Sequence, residues 1–182
     1  MILALDISTS CTGYALFNEN GLVKTDYINL SKHKGLYEKA TYVKDRLLRM
    51  SHDYHVSEVV VEENLQAFRP GLSSAKTLMT LAQFNGVVRW ICYEVFDEVP
   101  HAINVNSARK SIGLKIDRKN KEKNTKQQVL EWVSKQEPDL VWPTKILKTG
   151  PRKGLEVYQN YVYDMADAYV IGKSYCIENL KN

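Results

Sequence analysis

The sequence predicts an α/β fold in which a five-stranded mixed sheet carries helices on both faces. Short apolar or alternating runs typical of strands are interleaved with longer stretches of helical periodicity, in the order three strands, helix, strand, helix, strand, helices. The first three strands are expected to form an antiparallel meander, and the two later strands to be parallel. No internal repeat, low-complexity tract or long linker divides residues 1–182, which indicates a single domain.

The strands are predicted from short runs rich in apolar and β-branched residues. The first run is apolar throughout except for Asp6, as is typical of a strand buried on both faces. Val59, Val60 and Val61 mark the fourth strand. The five predicted strands cover 2–7, 13–17, 22–29, 56–63 and 99–105.

The helices are predicted from apolar residues that recur at helical spacing. Ser107 is expected to cap a further short helix. The segment 137–154 contains three prolines and two glycines and is expected to be irregular. The four longer helices are predicted over 36–54, 75–96, 125–135 and 158–175.

The composition excludes several classes of protein. With 44% hydrophobic residues, the 182-residue chain has enough apolar side chains for a buried core, so disorder is not expected. No apolar run approaches the roughly 20 residues that span a bilayer, so we expect a cytoplasmic protein without a membrane partner. The three cysteines and four histidines show no metal-ligand spacing, which favours buried free thiols over a zinc site.

The positive charge is concentrated in two segments. The net charge is only +4, but residues 109–126 contain eight basic residues against Asp117 and Glu122. A second basic segment contains Lys145, Lys148, Arg152 and Lys153. Together they indicate a polyanionic partner such as a nucleic acid, although either segment alone is also compatible with a solvated loop.

Two acidic residues are set in apolar strands. Asp6 is the only charged residue before Glu19, and Glu62 follows three valines. A buried carboxylate requires a cation, hydrogen-bond donors or access to solvent. Asp6 is alternatively a residue that ends its strand and caps the next turn. Glu62 is favoured over Glu63, because successive strand residues face opposite ways and only one of the two can share the face of Asp6.

A pair of acids is set in the last, apolar helix. Asp164 and Asp167 are the only charged residues between Glu156 and Lys173. A spacing of three places both on one helix face, where like charges repel. A solvated polar stripe is the alternative interpretation. Four carboxylates without a Cys or His ligand set favour Mg²⁺ or Mn²⁺ over zinc. Two such ions suit the hydrolysis of a phosphodiester.

These segments together resemble the RuvC family of Holliday junction resolvases, within the RNase H-like (integrase-like) superfamily. The resemblance covers nearly the whole chain, with its motifs in the same order as in the family. The residues that carry it are Ala4-Leu5-Asp6-Ile7-Ser8, Thr12-Gly13-Tyr14-Ala15, Val60-Val61-Glu62, Leu81-Ala82-Gln83-Phe84-Asn85-Gly86 and Asp164-Met165-Ala166-Asp167-Ala168.

The resemblance implies an RNase H-like fold and the activity of a crossover junction endodeoxyribonuclease. It implies that Asp6, Glu62, Asp164 and Asp167 are the catalytic residues and hold two Mg²⁺ or Mn²⁺ ions per active site. No small organic cofactor is implied. The substrate would be a four-way DNA junction or other branched DNA, nicked in pairs by a homodimer whose symmetry matches that of the junction. Small divergent relatives are frequent in bacteriophages, so a phage-encoded enzyme of the host cytoplasm is expected.

The resemblance also suggests DNA-contacting residues. Phe68, in the loop that follows the second acidic strand, is expected to wedge into the junction centre beside Arg69, or alternatively to pack under its own loop. Contacts to phosphates are expected from Lys110, Lys115, Arg118 and Lys119.

Two other functions compete with this interpretation. An RNA-processing nuclease of the YqgF type would have the same fold, and the residues do not decide between RNA and DNA. An ATPase module of the actin and sugar-kinase group shares a pattern like Asp6-Ile7-Ser8-Thr9-Ser10, but it needs a second domain and a second phosphate loop. The chain departs from the RuvC pattern at 140–159, a basic and aromatic stretch before the last helix, and Glu63 remains the alternative to Glu62.

Overall fold

The computed structural model describes residues 1–63 and 75–179. Within them, the helices and strands interleave as the sequence predicts, and a short additional hairpin follows α4. The strands are β1 (Ile2–Asp6), β2 (Cys11–Asn18), β3 (Gly21–Asn29), β4 (Glu58–Glu62), β5 (His101–Ile103), β6 (Thr144–Ile146) and β7 (Glu156–Tyr158). The helices are α1 (Gly35–Asp53), α2 (Ala75–Phe96), α3 (Val105–Ser111), α4 (Thr125–Gln136) and α5 (Val162–Asn179).

The main sheet is five-stranded and mixed, with the strand order β3-β2-β1-β4-β5. The first three strands pair antiparallel, while β4 runs parallel to both β1 and β5. The predicted meander with two parallel strands is therefore confirmed.

Helices cover both faces of this sheet, as predicted. Leu3 and Leu5 of β1 pack in a core formed with α1 and α2. Ala4, between them, faces the opposite way and packs against α5, and Val60 of β4 does the same. This alternation is the two-residue period of a strand buried on both faces. Full burial of one such aliphatic side chain contributes roughly 1.5–3 kcal/mol, which explains why the sheet is the most apolar part of the chain.

Three local predictions are wrong. Asn104, not Ser107, caps α3, because its side-chain oxygen accepts hydrogen bonds from the backbone N–H of Asn106 and Ser107. The segment 137–154 is not wholly irregular, since β6 lies within it and pairs with β7. Because β7 extends to Tyr158, the last helix begins at Val162 and not at 158.

One expectation from the composition is confirmed by the structure. Cys11, Cys92 and Cys176 are all free and buried. Among residues 1–63 and 75–179, no helix has both the length and the apolar character needed to cross a membrane.

Candidate active site

Two of the predicted acids lie side by side at the carboxyl edge of the sheet. Asp6 is the last residue of β1 and Glu62 is the last residue of β4. The two strands are parallel neighbours in which Leu5 pairs with Val61, so Asp6 and Glu62 are the next residues along. Both have the strand parity of Ala4 and Val60, which face α5. Their carboxyl groups lie close enough to share a hydrogen bond when one of the two is protonated.

The other two acids come from the beginning of α5. Asp164 lies in its first turn, and Asp167 follows one turn later and is buried. Gly13 of β2 allows α5 to approach this closely, because a Cβ atom at that position would come within 2.1 Å of the Asp164 carbonyl oxygen. The Thr12-Gly13 motif is therefore a packing requirement of the site: only a residue without a side chain fits between β2 and the start of α5.

The charges of the four acids interact strongly. Burial, and then the negative charges of Asp167, Glu62 and Asp164, raise the pKa of Asp6 well above its usual value. Burial is also the main reason that the pKa values of Glu62 and Asp167 are raised. The structure thus brings the four predicted acidic side chains together. Because their negative charges repel each other, a cation or a basic side chain beside them is stabilising.

Two basic side chains supply part of that charge. The Arg109 guanidinium lies 3.2 Å from Asp167, and the Lys126 ammonium lies 3.2 Å from Asp164. The Arg109 side chain is only 17% exposed, whereas that of Lys126 is 55% exposed. Burial acts to lower the pKa of Lys126, but the charges of Asp164, Asp167 and Asp6 outweigh it and raise the pKa.

The sequence did not single out Arg109 or Lys126. Both belong to the basic segment 109–126, from which four other residues, Lys110, Lys115, Arg118 and Lys119, were predicted as DNA contacts. Arg109 is distinguished from Lys110 by its position beside the fully buried Ala108 on a short helix that packs against α5. That position depends on tertiary contacts. A helix of seven residues is too short to show it as a periodic pattern in the sequence.

The donor set fits a hard divalent cation, although the side chains are not arranged as a finished metal site. Within the described part of the chain, no group of three or more His, Cys, Asp or Glu side chains is placed to hold an ion as it stands. Asp164 and Asp167 are engaged by the basic side chains instead. All four acids offer oxygen ligands, which Mg²⁺ and Mn²⁺ prefer. Burial and then Asp164 raise the pKa of the nearby Cys11 thiol, so the thiol is protonated at neutral pH in the metal-free fold.

Three of the four acids, Asp6, Glu62 and Asp164, line a cleft of about 160 Å³. Leu81 and Asn85 of α2 line its other side. The Asn85 side-chain oxygen is buried and lacks a hydrogen-bond partner within the described residues. A buried acceptor facing a polar cleft is satisfied by water or by a ligand donor, so α2 contributes a polar group as well as an apolar wall.

Glu63, the alternative to Glu62, has different partners. Its backbone N–H donates to the Ile103 carbonyl oxygen, and its carboxylate accepts a hydrogen bond of 3.3 Å from Asn104. Although Glu63 also borders the cleft, it is Glu62 that interacts with Asp6 and Asp167.

The predicted DNA contacts lie outside this cleft. Lys110 is exposed on α3, and Lys115, Arg118 and Lys119 are exposed in the connection between α3 and α4. None of these four lines the cleft that the acids border. Phe68 and Arg69 fall in 64–74, outside the described residues.

Comparison with known proteins gives a match at the level of fold. No protein-family model matches the sequence, and no curated protein sequence matches it either. Among solved structures, RuvC of Thermus thermophilus in complex with a Holliday junction substrate is similar over 100% of this chain and 95% of its own, with a TM-score of 0.65 and 15% identity. Another structure of Thermus thermophilus RuvC covers 99% and 95%, with a TM-score of 0.59 and 17% identity.

A third similar structure is the yeast mitochondrial Holliday junction resolvase. It has a TM-score of 0.54 and 14% identity over 99% of this chain and 79% of its own. At these identities the likeness establishes the fold. The predicted RNase H-like, RuvC-type fold is therefore confirmed.

Proposed function

We propose that the chain is a metal-dependent endonuclease that resolves Holliday junctions and other branched DNA. The observation that carries this proposal is the meeting of four acids from β1, β4 and α5 at one edge of a RuvC-type sheet. One of the similar solved structures is a RuvC bound to a Holliday junction substrate, and this supports branched DNA as the substrate class.

In this proposal Asp6, Glu62, Asp164 and Asp167 hold two Mg²⁺ or Mn²⁺ ions, which activate a water and stabilise the leaving oxygen of the phosphodiester. The chain's own residues favour the binding of these ions at the site. Burial strengthens the attraction between these carboxylates and any cation that enters. Arg109, which is mostly buried, fixes the position of Asp167. Lys126 is the more exposed of the two bases, so it can release Asp164 and remain at the cleft to face a phosphate.

The exposed basic residues are proposed to position the substrate. Lys110, Lys115, Arg118 and Lys119 are exposed and form no ion pair within the described residues. Contacts of this kind attract the sugar-phosphate backbone without reading its sequence. Phe68 as a wedge at the junction centre, with Arg69 beside it, remains part of the proposal on the strength of the family resemblance alone.

A homodimer is supported by the exposed face of α2. Met79 and Tyr93 are exposed there, and Trp90 is 59% exposed. Gly86 lies seven residues from both Met79 and Tyr93, and outside its own helix no described residue has an atom within 4 Å of its Cβ position. An exposed apolar stripe with a small residue at its centre suits close packing against a second helix. Two copies would provide the two cuts that resolve a junction.

The proposal is tested by incubating the purified protein with a labelled four-way junction, the matched linear duplex and an RNA hairpin, each with Mg²⁺, Mn²⁺ or EDTA. We expect paired nicks in the junction alone and none with EDTA. Asp167→Asn is the matched inactive control, because it removes one ligand charge with little change in volume. The melting temperature should rise with Mg²⁺ in the wild type and rise less in this variant.

Other outcomes would contradict the assignment. Cleavage of the RNA hairpin in preference to the junction would identify an RNA-processing nuclease of the same fold. ATP hydrolysis without any cleavage would favour an ATPase module.

A further inference from the structure

The proposed function leaves one conspicuous feature unused, the hairpin formed by β6 and β7. Its strands pair antiparallel, with Lys145 opposite Val157 and Ile146 opposite Glu156. β7 ends at Tyr158, only four residues before α5 begins at Val162. The hairpin therefore adjoins the end of α5 that carries Asp164.

The tip of the hairpin is an ordered turn. The backbone N–H of Leu147 donates to the Leu155 carbonyl at 3.0 Å, and that of Lys153 donates to the Gly150 carbonyl at 3.0 Å. Gly150 has a φ of 81°, in the region that favours glycine, and Pro151 follows at the position where proline suits a tight turn. The tip thus holds its backbone in a defined arrangement, so little backbone entropy is left to lose on binding.

The base of the hairpin is anchored to α4. Trp142, just before β6, is buried in the core and donates from its ring nitrogen to the Ser134 hydroxyl at 2.9 Å. The Gln159 backbone N–H, just after β7, donates to the Pro143 carbonyl at 3.0 Å. Because both ends are held, the hairpin projects from the domain as a fixed arm.

The surface of this arm is strongly basic. Its only acid is Glu156, which accepts a hydrogen bond from the Thr144 hydroxyl. Within the described residues, none of its basic side chains takes part in an ion pair or a side-chain hydrogen bond. The exposed basic residues of the arm are Lys145, Lys148, Arg152 and Lys153.

The arm and the basic connection between α3 and α4 border the same cleft. Tyr158 of β7 and Lys123, at the end of that connection, both line a cleft of about 640 Å³ beside α4. Tyr163, the neighbour of Asp164, lines it as well. The cleft therefore connects the arm to the beginning of α5, and its own lining is of mixed charge, because Glu122 and Glu131 also line it and Glu131 is paired with Lys123.

We propose that the β6–β7 hairpin is a second DNA contact, which binds the phosphate backbone of a duplex arm beside the cleavage point. Duplex DNA presents one negative charge for about every 1.7 Å of its axis, so a fixed set of unpaired cations matches it without reading sequence. The inference rests on the proposed function for the identity of the polyanion, but the contact itself does not require cleavage.

The test compares two variants that lose equal charge. The first replaces Lys148, Arg152 and Lys153 by glutamine at the tip. The second, a control, replaces three exposed bases before and on α1, which packs on the other face of the sheet: Lys32→Gln, Lys34→Gln and Arg49→Gln. Binding to a four-way junction is measured over a range of salt concentrations without divalent ions, and single-turnover cleavage is measured with Mg²⁺ at saturating protein.

We expect the salt dependence of binding to flatten in the tip variant. Each phosphate contact contributes about 0.9 to the slope of log affinity against log salt, so three contacts contribute about 2.7, which corresponds to a loss of about 500-fold near 0.1 M. The control should keep the wild-type slope.

Three results would overturn the proposal. They are a wild-type slope in the tip variant, an equal change in both variants, and tip-dependent binding to anionic vesicles with unchanged DNA binding, which would assign the arm to a lipid surface. A wild type that binds the junction through its tip but never cuts it would support the inference while refuting the proposed nuclease.

Discussion

Replacing Gly13 by alanine is expected to push α5 away from β2 and to destabilise the protein. The added Cβ atom would lie 2.1 Å from the carbonyl oxygen of Asp164, 2.2 Å from its carbonyl carbon and 2.7 Å from the backbone nitrogen of Met165. All three neighbours are backbone atoms, so no side-chain rotation relieves the clash, and the helix or the strand must move. Overpacking in a core costs about 1–3 kcal/mol, and an immovable backbone places this change at about 3 kcal/mol.

The effect is measurable by thermal or denaturant unfolding. For a domain of this size a loss of about 3 kcal/mol lowers the melting temperature by roughly 6–12 °C. Gly86→Ala is the matched control, measured at protein concentrations low enough to keep the chain monomeric, because Gly86 is an exposed helical residue and, outside its own helix, no described residue comes within 4 Å of its Cβ position. The control should gain about 0.5–1 kcal/mol from helix propensity. A melting temperature of Gly13→Ala equal to that of the wild type would refute the close approach of α5 to β2.

Further predictions concern the charged groups. Asp6→Asn should abolish cleavage while leaving junction binding intact or tighter. Because the pKa of Asp6 is raised in the fold, the metal-free wild type should lose stability as the pH rises from mildly acidic to neutral, and Asp6→Asn should lose less, as urea unfolding at each pH would show. Arg109→Ala should destabilise by about 3 kcal/mol because it leaves Asp167 buried without its partner. Lys126→Gln should change unfolding by less than about 1 kcal/mol because that pair is half-exposed, and equal effects of the two would contradict their assigned roles. Lys115→Ala with Lys119→Ala should weaken junction binding and flatten its salt dependence, measured by titration at several salt concentrations.

The sequence predicted the sheet and the placement of its acids because both depend on short periodic patterns. Asp6 and Glu62 are charged residues at the ends of otherwise apolar strands, and two-residue alternation is enough to assign them to one face. In α5, Asp164 and Asp167 stand three residues apart in an otherwise apolar helix. A charge that interrupts an apolar pattern is visible without any knowledge of tertiary structure.

The elements that the sequence missed lack such a pattern. β6 and β7 have three residues each, too few for alternation to be recognised, and they are set among prolines and glycines that predict turns. Asn104 and Ser107 are both good capping residues, so the choice depends on where β5 ends. Arg109 and Asp167 are 58 positions apart in the sequence, and the packing of α3 on α5 brings them into contact.

The two basic side chains beside the four acids differ in how firmly the fold holds them. Arg109 is mostly enclosed, and its Nε atom is buried without a hydrogen-bond partner in the described part of the chain. Breaking this ion pair would leave the Asp167 carboxylate and the Arg109 guanidinium both buried and unpaired. Arg109 is therefore a permanent part of the fold. Lys126 keeps more than half of its side-chain surface in water and holds its carboxylate from the start of α4. It therefore loses little when another cation takes its place. A site with one fixed and one exchangeable base can hold its acids together in the absence of metal and still admit the proposed ions, because the exchangeable pair is the one that lines the cleft.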